Sequence, residues 1–434
     1  MSVAGAWLWD IPAVMSEQPD MEELFRPSMD PETAEVFWTV LRPGYLIALF
    51  TAGWALNIVV FGRFRVDYCT VLGIAKDEVV SPYRLLILAA TICVAMSSYR
   101  VILSAEAPPV VALWSILLGY AAMLCGLFVW LPPTVARHVP WRAPLARALW
   151  RCICPDGGRE VPFVEVLVAD GLTSMAKVFF DLSLGACVAV SSLDHPFSTF
   201  SGGSFLDNMP AAQDIALGSN ATSMVPAARS GLGAAMKQCR RQSVPFLFWA
   251  LPFLIRARQC IVTSRHAPDT LSRDLQRVNL LKYLSALPVI FFSLCYAHSG
   301  SNMSWLIFMP DDFEAMWALS AVINSIFSFM WDLVMDWGLL QPGDKQQSNW
   351  GLRPVLLFRG VWGFYHICVV LNLVGRTLWS LRWSPQANLF LGTFFLASFQ
   401  QVAEVLRRCL WNVLRVEWEC IKKGVHRTDQ HFPV

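Results

Sequence analysis

The amino-acid sequence predicts an all-α integral membrane protein: a polytopic bundle of about nine transmembrane helices around a polar, charged central cavity. Three observations carry that expectation. Hydrophobic residues make up 55% of the 434-residue chain and charged residues 15%, with a mean hydropathy of +0.46; a soluble domain carries about 25% charged residues. Apolar stretches of roughly the 20 residues needed to cross a bilayer recur along most of the chain. Five of them also carry polar and charged residues at helical spacing, so each has one polar face.

The spans are expected, in order, at 43–61, 84–104, 109–131, 164–192, 244–262, 279–297, 313–334, 360–380 and 388–412. A polar segment, 1–40, precedes them. Residues 41–160 hold the N-terminal transmembrane helices and 161–420 the remaining ones, with a Ser-, Gly- and Ala-rich loop at 193–243 that is expected to be partly disordered. Residues 421–434 form a tail. Residues 1–36 are acidic and polar and lack a basic region before an apolar core, so no cleavable signal is expected. The net charge of +2 gives no electrostatic basis for nucleic-acid binding. Of the twelve cysteines, Cys93, Cys125, Cys295 and Cys368 lie in apolar stretches and read as small buried hydrophobes. Cys152 and Cys154 lack the second pair a zinc site needs, so no metal is expected.

Loop charges orient the chain. Arg63, Arg65, Lys76 and Arg84 lie between spans one and two; Arg137, Arg142, Arg147, Arg151 and Arg159 between three and four. Arg265, Arg273 and Arg277 lie between five and six, Arg353 and Arg359 before span eight, and Lys422, Lys423 and Arg427 after span nine. Alternation puts all of them on one side, which is therefore cytosolic, with the C-terminus there and the N-terminus opposite. The glycosylation sequons at Asn220 and Asn302 fall on the non-cytosolic side, in agreement. Lys237, Arg240 and Arg241 fall there too, against the rule.

The polar faces are specific. Asn324, Ser328, Asp332 and Asp336 form one stripe on span seven. Span four carries Asp170, Thr173, Ser174, Lys177 and Asp181; span six begins with Asn279, Lys282, Tyr283 and Ser285. Span eight has Asn372, Arg376 and Trp379; span nine has Gln400, Gln401, Glu404, Arg407, Arg408 and Asn412. In lipid these faces must turn inward. Lys177, Lys282, Arg376, Arg407 and Arg408 then meet Asp170, Asp181, Asp332, Asp336 and Glu404. Any single one of these charges can equally be a structural pair that fixes helix register, and Glu404 with Arg408 can be a local i,i+4 contact. Five converging spans favour a site. Arginine forks match the oxygens of phosphate or carboxylate, so the interior suits a small oxyanion, with the acids holding the cations in place.

At this point the residues resemble a known family. The segment WDLVMDWG at 331–338 resembles the hallmark of the EXS-domain family, which includes eukaryotic phosphate exporters that double as a retroviral receptor in animals, and shorter Golgi proteins named for an ER-retention defect. LPFLIRARQC (251–260), NLLKY (279–283), GRTLW (375–379) and EVLRRCLWNVLRVEWE (404–419) resemble its other motifs in order and spacing. VADGLTSMAKVFFDL (168–182) resembles the short Golgi branch best. The resemblance covers about residues 40–420 and makes 161–420 the EXS transmembrane domain. It implies that Lys282, Tyr283, Arg376, Arg407 and Arg408 contact phosphate. It implies that Asp170, Thr173, Lys177, Asp332, Asp336, Trp379 and Glu404 organise or line the path. The chain departs from the exporters in lacking an N-terminal SPX domain, in Thr173 and Thr263, and in Asn372 where an acid precedes the arginine motif.

The function implied is an inorganic phosphate transporter that returns phosphate released by glycosylation from Golgi lumen to cytosol, and so supports glycosylation and Golgi enzyme retention. The alternative is a trafficking or scaffold protein that recycles glycosyltransferases without transport. Expected partners are inorganic phosphate and membrane lipids, with Golgi glycosyltransferases or their sorting adaptors, and a second copy in a homodimer, as further expectations; ER or plasma membrane is the alternative location. An enzyme is not expected, because His366 alone of seven histidines lies well within a span. No cofactor is implied.

Overall fold

The computed structural model describes residues 31–75, 78–104, 109–128, 142–154, 158–201, 225–298, 310–340, 352–353, 355–358 and 363–425. Asn220 and Asn302 lie outside them. Every regular element among the described residues is helical. α1 (Pro31–Arg63), α3 (Pro82–Ser104) and α4 (Pro109–Phe128) each open on a proline, whose missing N–H costs nothing in a first turn. Between α1 and α3, the short α2 (Tyr68–Leu72) is capped by the Asp67 carboxylate on Thr70 N–H and closed by Gly73 at φ 65°. There follow α5 (Arg142–Ile153), α6 (Phe163–Ser174), α7 (Ala176–Ser201), α8 (Val225–Cys239), α9 (Ser243–Arg265), α10 (Thr270–Leu284), α11 (Ala286–His298) and α12 (Pro310–Trp331). A π-turn (Asp332–Asp336) ends α12. α13 (Phe364–Thr377) runs into a 3-10 turn (Leu378–Trp383), and α14 (Pro385–Lys422) closes the chain.

Among the described residues eight segments are long and apolar enough to cross a membrane, and each overlaps one of the first eight expected spans, the fourth over Ala176–Leu193 only. The ninth falls within α14, which is long enough but carries Glu404, Arg407 and Arg408 along one face. The burial pattern is that of a lipid-facing exterior: Leu118 and Leu319 are 63% and 62% exposed, whereas Asp332 and Asp170 are 1% and 3% exposed.

α1 is central to the packing. Val36 and Val40 meet Leu113 and Ile116 of α4 and Leu184 and Val188 of α7. Further along, Leu46 joins Met175, Val178, Val405 and Cys409, which brings α1, α7 and α14 together around the site. Toward the other end, Phe61, Trp337, Tyr365, Trp411 and Leu414 form a second core. A buried ion pair, Arg353–Glu417 at 2.6 Å, sits beside it; Glu417 also accepts from the Tyr365 hydroxyl, and Arg353 donates to the Trp337 carbonyl.

Two expected spans are interrupted. Span four divides at Met175, where Thr173 turns its hydroxyl back onto the Asp170 carbonyl at 2.7 Å; such back-bonding bends helices. Span six divides at Ser285. Pro288 cannot donate to the Leu284 carbonyl four residues earlier, and the Ser285 hydroxyl bonds the Lys282 carbonyl at 2.7 Å.

The segment expected as a loop, 193–243, contains the end of α7 and all of α8. Here two of the three basic residues that break the charge rule meet acids: Lys237 pairs with Glu32 at 2.6 Å and Arg240 with Glu35 at 2.5 Å. Cys187 and Cys239 form a disulfide joining α7 to α8, a pairing without a cue in their spacing. Cys295 and Cys368 are buried free thiols, as expected; Cys125 is exposed and Cys93 half-buried, in keeping with a lipid-facing surface. At the opposite face Asp269 caps α10. The Ser272 backbone N–H and then its hydroxyl hold this carboxylate below its usual range.

Candidate functional site

Three joined groups of charged side chains fill the space between α6, α9, α10, α12, α13 and α14. The first is built on Asp170. Arg256 donates from Nε to its Oδ1 at 2.7 Å, and the Tyr283 hydroxyl donates to the same oxygen at 2.6 Å. Arg256 also reaches Gln259 Oε1 at 2.6 Å and the Tyr283 oxygen at 3.0 Å. A cleft of about 90 Å³ opens next to Gln259, lined also by Arg151, Arg159, Glu160 and Glu165.

The second group is built on Asp332. Its Oδ2 accepts from Arg376 Nε and Nη2 at 3.2 and 2.6 Å and from Asn372 Nδ2 at 3.1 Å. Its Oδ1 accepts from Trp411 Nε1 at 3.1 Å. Arg407 lies 3.7 Å from the same carboxylate, gripped by Glu404 at 2.8 and 2.6 Å and by Asn372 Oδ1 at 2.9 Å. Arg408 points the other way along α14, donating to Ser174 Oγ at 2.7 Å and Thr173 Oγ1 at 3.4 Å above the Trp411 ring. The Ser174 hydroxyl in turn donates a hydrogen bond to Glu404 Oε1 at 2.7 Å, which ties α6 to α14.

The third group is built on Asp336. Lys282 approaches it at 3.5 Å and Arg415 at 3.7 Å, with Arg415 also on Glu419 at 3.0 Å. Lys282 lies over the Tyr283 ring at 4.5 Å and so connects this group to the first.

The hallmark segment can now be read residue by residue. A π-turn stacks residue i on i+5 rather than i+4, so the four-residue stripe is broken after Asp332, and the two aspartates serve different cations. Trp337 is fully buried in the second core. Gly338 sits at φ +60° with Trp418 so close that a Cβ would lie 2.5 Å from its ring.

Of the expected site residues, Asp170, Thr173, Lys282, Tyr283, Asp332, Asp336, Arg376, Glu404, Arg407 and Arg408 come together in these groups. Trp379 does not touch the charges. It packs in an aromatic cluster with Trp317 and Trp383 at 5.7 and 5.5 Å, and bonds Ser325 Oγ at 2.9 Å, which in turn bonds the Arg376 carbonyl. Lys177 also lies off the groups, over the Trp249 ring at 3.3 Å. Asp181 pairs with Arg42 of α1 at 2.8 Å.

Arg256, Trp411 and Arg42 were not read from the sequence as site residues. Arg256 and Gln259 stand three apart in the 251–260 segment, on one face, which is the signal that could have found them. Asn372, noted as a departure, uses both halves of its amide: it donates to Asp332 and accepts from Arg407, which a carboxylate cannot do. Gly375 lets α13 approach α14, since a Cβ there would lie 2.7 Å from Arg407 Cδ.

Arg256, Lys282, Arg376, Arg407 and Arg408 thus face Asp170, Asp332, Asp336 and Glu404, leaving one cation in excess. The guanidinium forks are held by carboxylates that an incoming oxyanion can replace oxygen for oxygen.

The EXS family model matches residues 37–421. The chain is 26% identical over 282 residues to Protein ERD1 homolog 1 of Schizosaccharomyces pombe, covering 63% of this chain and 62% of that protein. It is 35% identical over 195 residues to Phosphate transporter PHO1 of Arabidopsis thaliana, covering 44% and 22%. It is 25% identical over 309 residues to Solute carrier family 53 member 1 of Mus terricolor, covering 69% and 39%. The chain therefore spans less than two thirds of the length of each of these relatives.

Proposed function

This chain belongs to the EXS family, and from that premise we propose that it carries inorganic phosphate across a Golgi membrane, from lumen to cytosol. The observation that carries the reading is the arginine set around Asp332. Arg376 and Arg407 reach one carboxylate from two helices, and Arg408 is linked to them through Ser174 and Glu404, so three guanidinium groups stand against two carboxylates. That is a site for a compact oxyanion in a membrane interior, where an unpaired charge is costly. The likeness to a phosphate transporter and to an ERD1 homolog supports the substrate and the compartment.

The orientation belongs to the same proposal. The basic loops face the cytosol and the N-terminus the lumen. The Cys187–Cys239 disulfide, at the end of the bundle where Glu32 meets Lys237, supports it, because disulfides persist in oxidising compartments. Returning phosphate from the lumen supports glycosylation by removing a product of it.

The test is labelled phosphate flux into proteoliposomes holding the purified protein, with Arg376→Ala beside it. Flux in the wild type that falls to background in a folded variant supports the reading. Background flux in both would overturn it and favour a trafficking role; equal flux in both would remove Arg376 from the path.

A further inference from the structure

A second set of charges lies outside the three groups, farther from the cytosolic loops. Arg42 donates from Nε and Nη2 to Asp181 Oδ2 at 3.1 and 2.8 Å, and from Nη1 to Ser398 Oγ at 3.2 Å. Ser398 also accepts from Trp38 Nε1 at 3.1 Å. Arg42 and Asp181 are both buried. One turn before Asp181 stands Lys177, its ammonium over the rings of Trp249 at 3.3 Å and Phe180 at 4.9 Å. Among the described residues, no carboxylate lies within ion-pair distance of Lys177, and the nearest acid on its own helix face is already taken by Arg42. A single carboxylate, Asp181, thus stands near two cations and pairs with Arg42 alone.

The position of this set matters as much as its charge. Asp170 and Ser174 on α6 and Lys177 and Asp181 on α7 keep helical spacing on either side of the break at Met175, spread over about 16 Å of helical rise. Ser398 lies six residues before Glu404 on α14, about 9 Å away by helical rise. The Arg42–Lys177 set thus lies beyond the main site toward the end that holds the disulfide. Aromatic faces stabilise an ammonium only partly, and its remaining N–H donors need an acceptor.

We propose that Lys177, with Arg42 and the Ser398 hydroxyl, forms a second oxyanion-binding position on the luminal side of the main site. It rests on the transport reading: its occupant is the same phosphate, met on the way in. Two positions in a row allow an arriving anion to loosen the one ahead of it, which lets a site rich in arginine release what it binds.

The experiment measures labelled phosphate uptake from each face separately, in vesicles sorted to one orientation. Lys177→Met should raise the half-saturating luminal phosphate by about tenfold or more, the loss expected for a charge-assisted hydrogen bond, and leave the cytosolic value within about twofold. Lys177→Arg should restore it. An unchanged luminal value, or an equal change at both faces, would overturn the second position while leaving transport intact. A wild type that moves no phosphate would remove the transport reading instead. The second position is then decided by whether phosphate protects Lys177 of the wild-type protein from acylation, read by mass spectrometry. Protection keeps the position and its absence removes it. That readout also decides the matter where Lys177→Met fails to fold.

Discussion

Replacing Asp332 by Asn removes one charge and almost no volume, and the consequences can be worked out from the four hydrogen bonds this carboxylate accepts: two from Arg376, one from Asn372 and one from Trp411. An amide offers one oxygen. Turned toward Arg376, it sets its own NH₂ against the Trp411 N–H; turned toward Trp411, it sets NH₂ against the guanidinium. In both orientations a buried donor is stranded. Removing one partner of a buried pair costs about 3–5 kcal/mol, which is roughly two to three and a half powers of ten in the folding equilibrium. The same change leaves the arginine set with one more uncompensated positive charge, so an oxyanion should bind the variant more tightly and stabilise it more. The assay is heat survival in detergent, read as the monodisperse fraction by size-exclusion chromatography, with and without phosphate. Asp332→Asn should be markedly less stable than wild type in phosphate-free buffer and should recover most of the difference when phosphate is added. A variant as stable as wild type without phosphate, or one that phosphate protects no better, would refute both the hub role of Asp332 and the oxyanion assignment of the cations around it.

Gly375→Ala places a methyl 2.7 Å from Arg407 Cδ. The arginine stem can shift, so we expect a fold weakened by about 1–3 kcal/mol, with phosphate flux reduced more than heat survival. The Asp269 carboxylate sits below its usual range when folded, so its support of α10 is complete above the unfolded carboxylate value and lost as pH falls through the folded one. The protection of the Ser272 amide, read as its exchange rate relative to the unstructured chain at the same pH, should fall in acid and lose that pH dependence in Asp269→Ala. Cys187 and Cys239 should resist thiol labelling until a reductant is added, and Cys187→Ser should expose Cys239 to the reagent without reduction.

Much of the membrane architecture was legible because lipid imposes a strong rule: apolar length gives the spans, and a polar face must turn inward. Asp170, Lys282, Asp332, Arg376 and Arg407 could be read that way, each being a costly residue in an apolar stretch. What could not be read has a common cause. Arg42 lies beside Pro43, just outside the expected start of span one at 43, although α1 starts eleven residues before it and carries it inside. Arg256 shares its segment with Arg258, and only the helix phase tells which is buried. The π-turn shifts the register between Asp332 and Asp336, so a spacing of four did not mean one line. Trp379 shares the polar face of span eight with Arg376, and its contacts with Ser325, Trp317 and Trp383 come from other segments that the spacing on its own helix does not reveal.

The interruptions at Met175 and Ser285 have a mechanical consequence. A helix bends most easily where a main-chain bond is missing, so each works as a joint between two stiff rods. Asp170 and Tyr283 precede their respective joints, and Arg256, which holds both, would travel with them as one block. Lys177 lies beyond the first joint. Flexing there changes the gap between Lys177 and the Ser174–Arg408 contact while leaving the Asp170 block unstrained. Flexing at these two breaks would alter the spacing of the cations, with the lever arms set by where a threonine back-bond and a proline fall in the sequence.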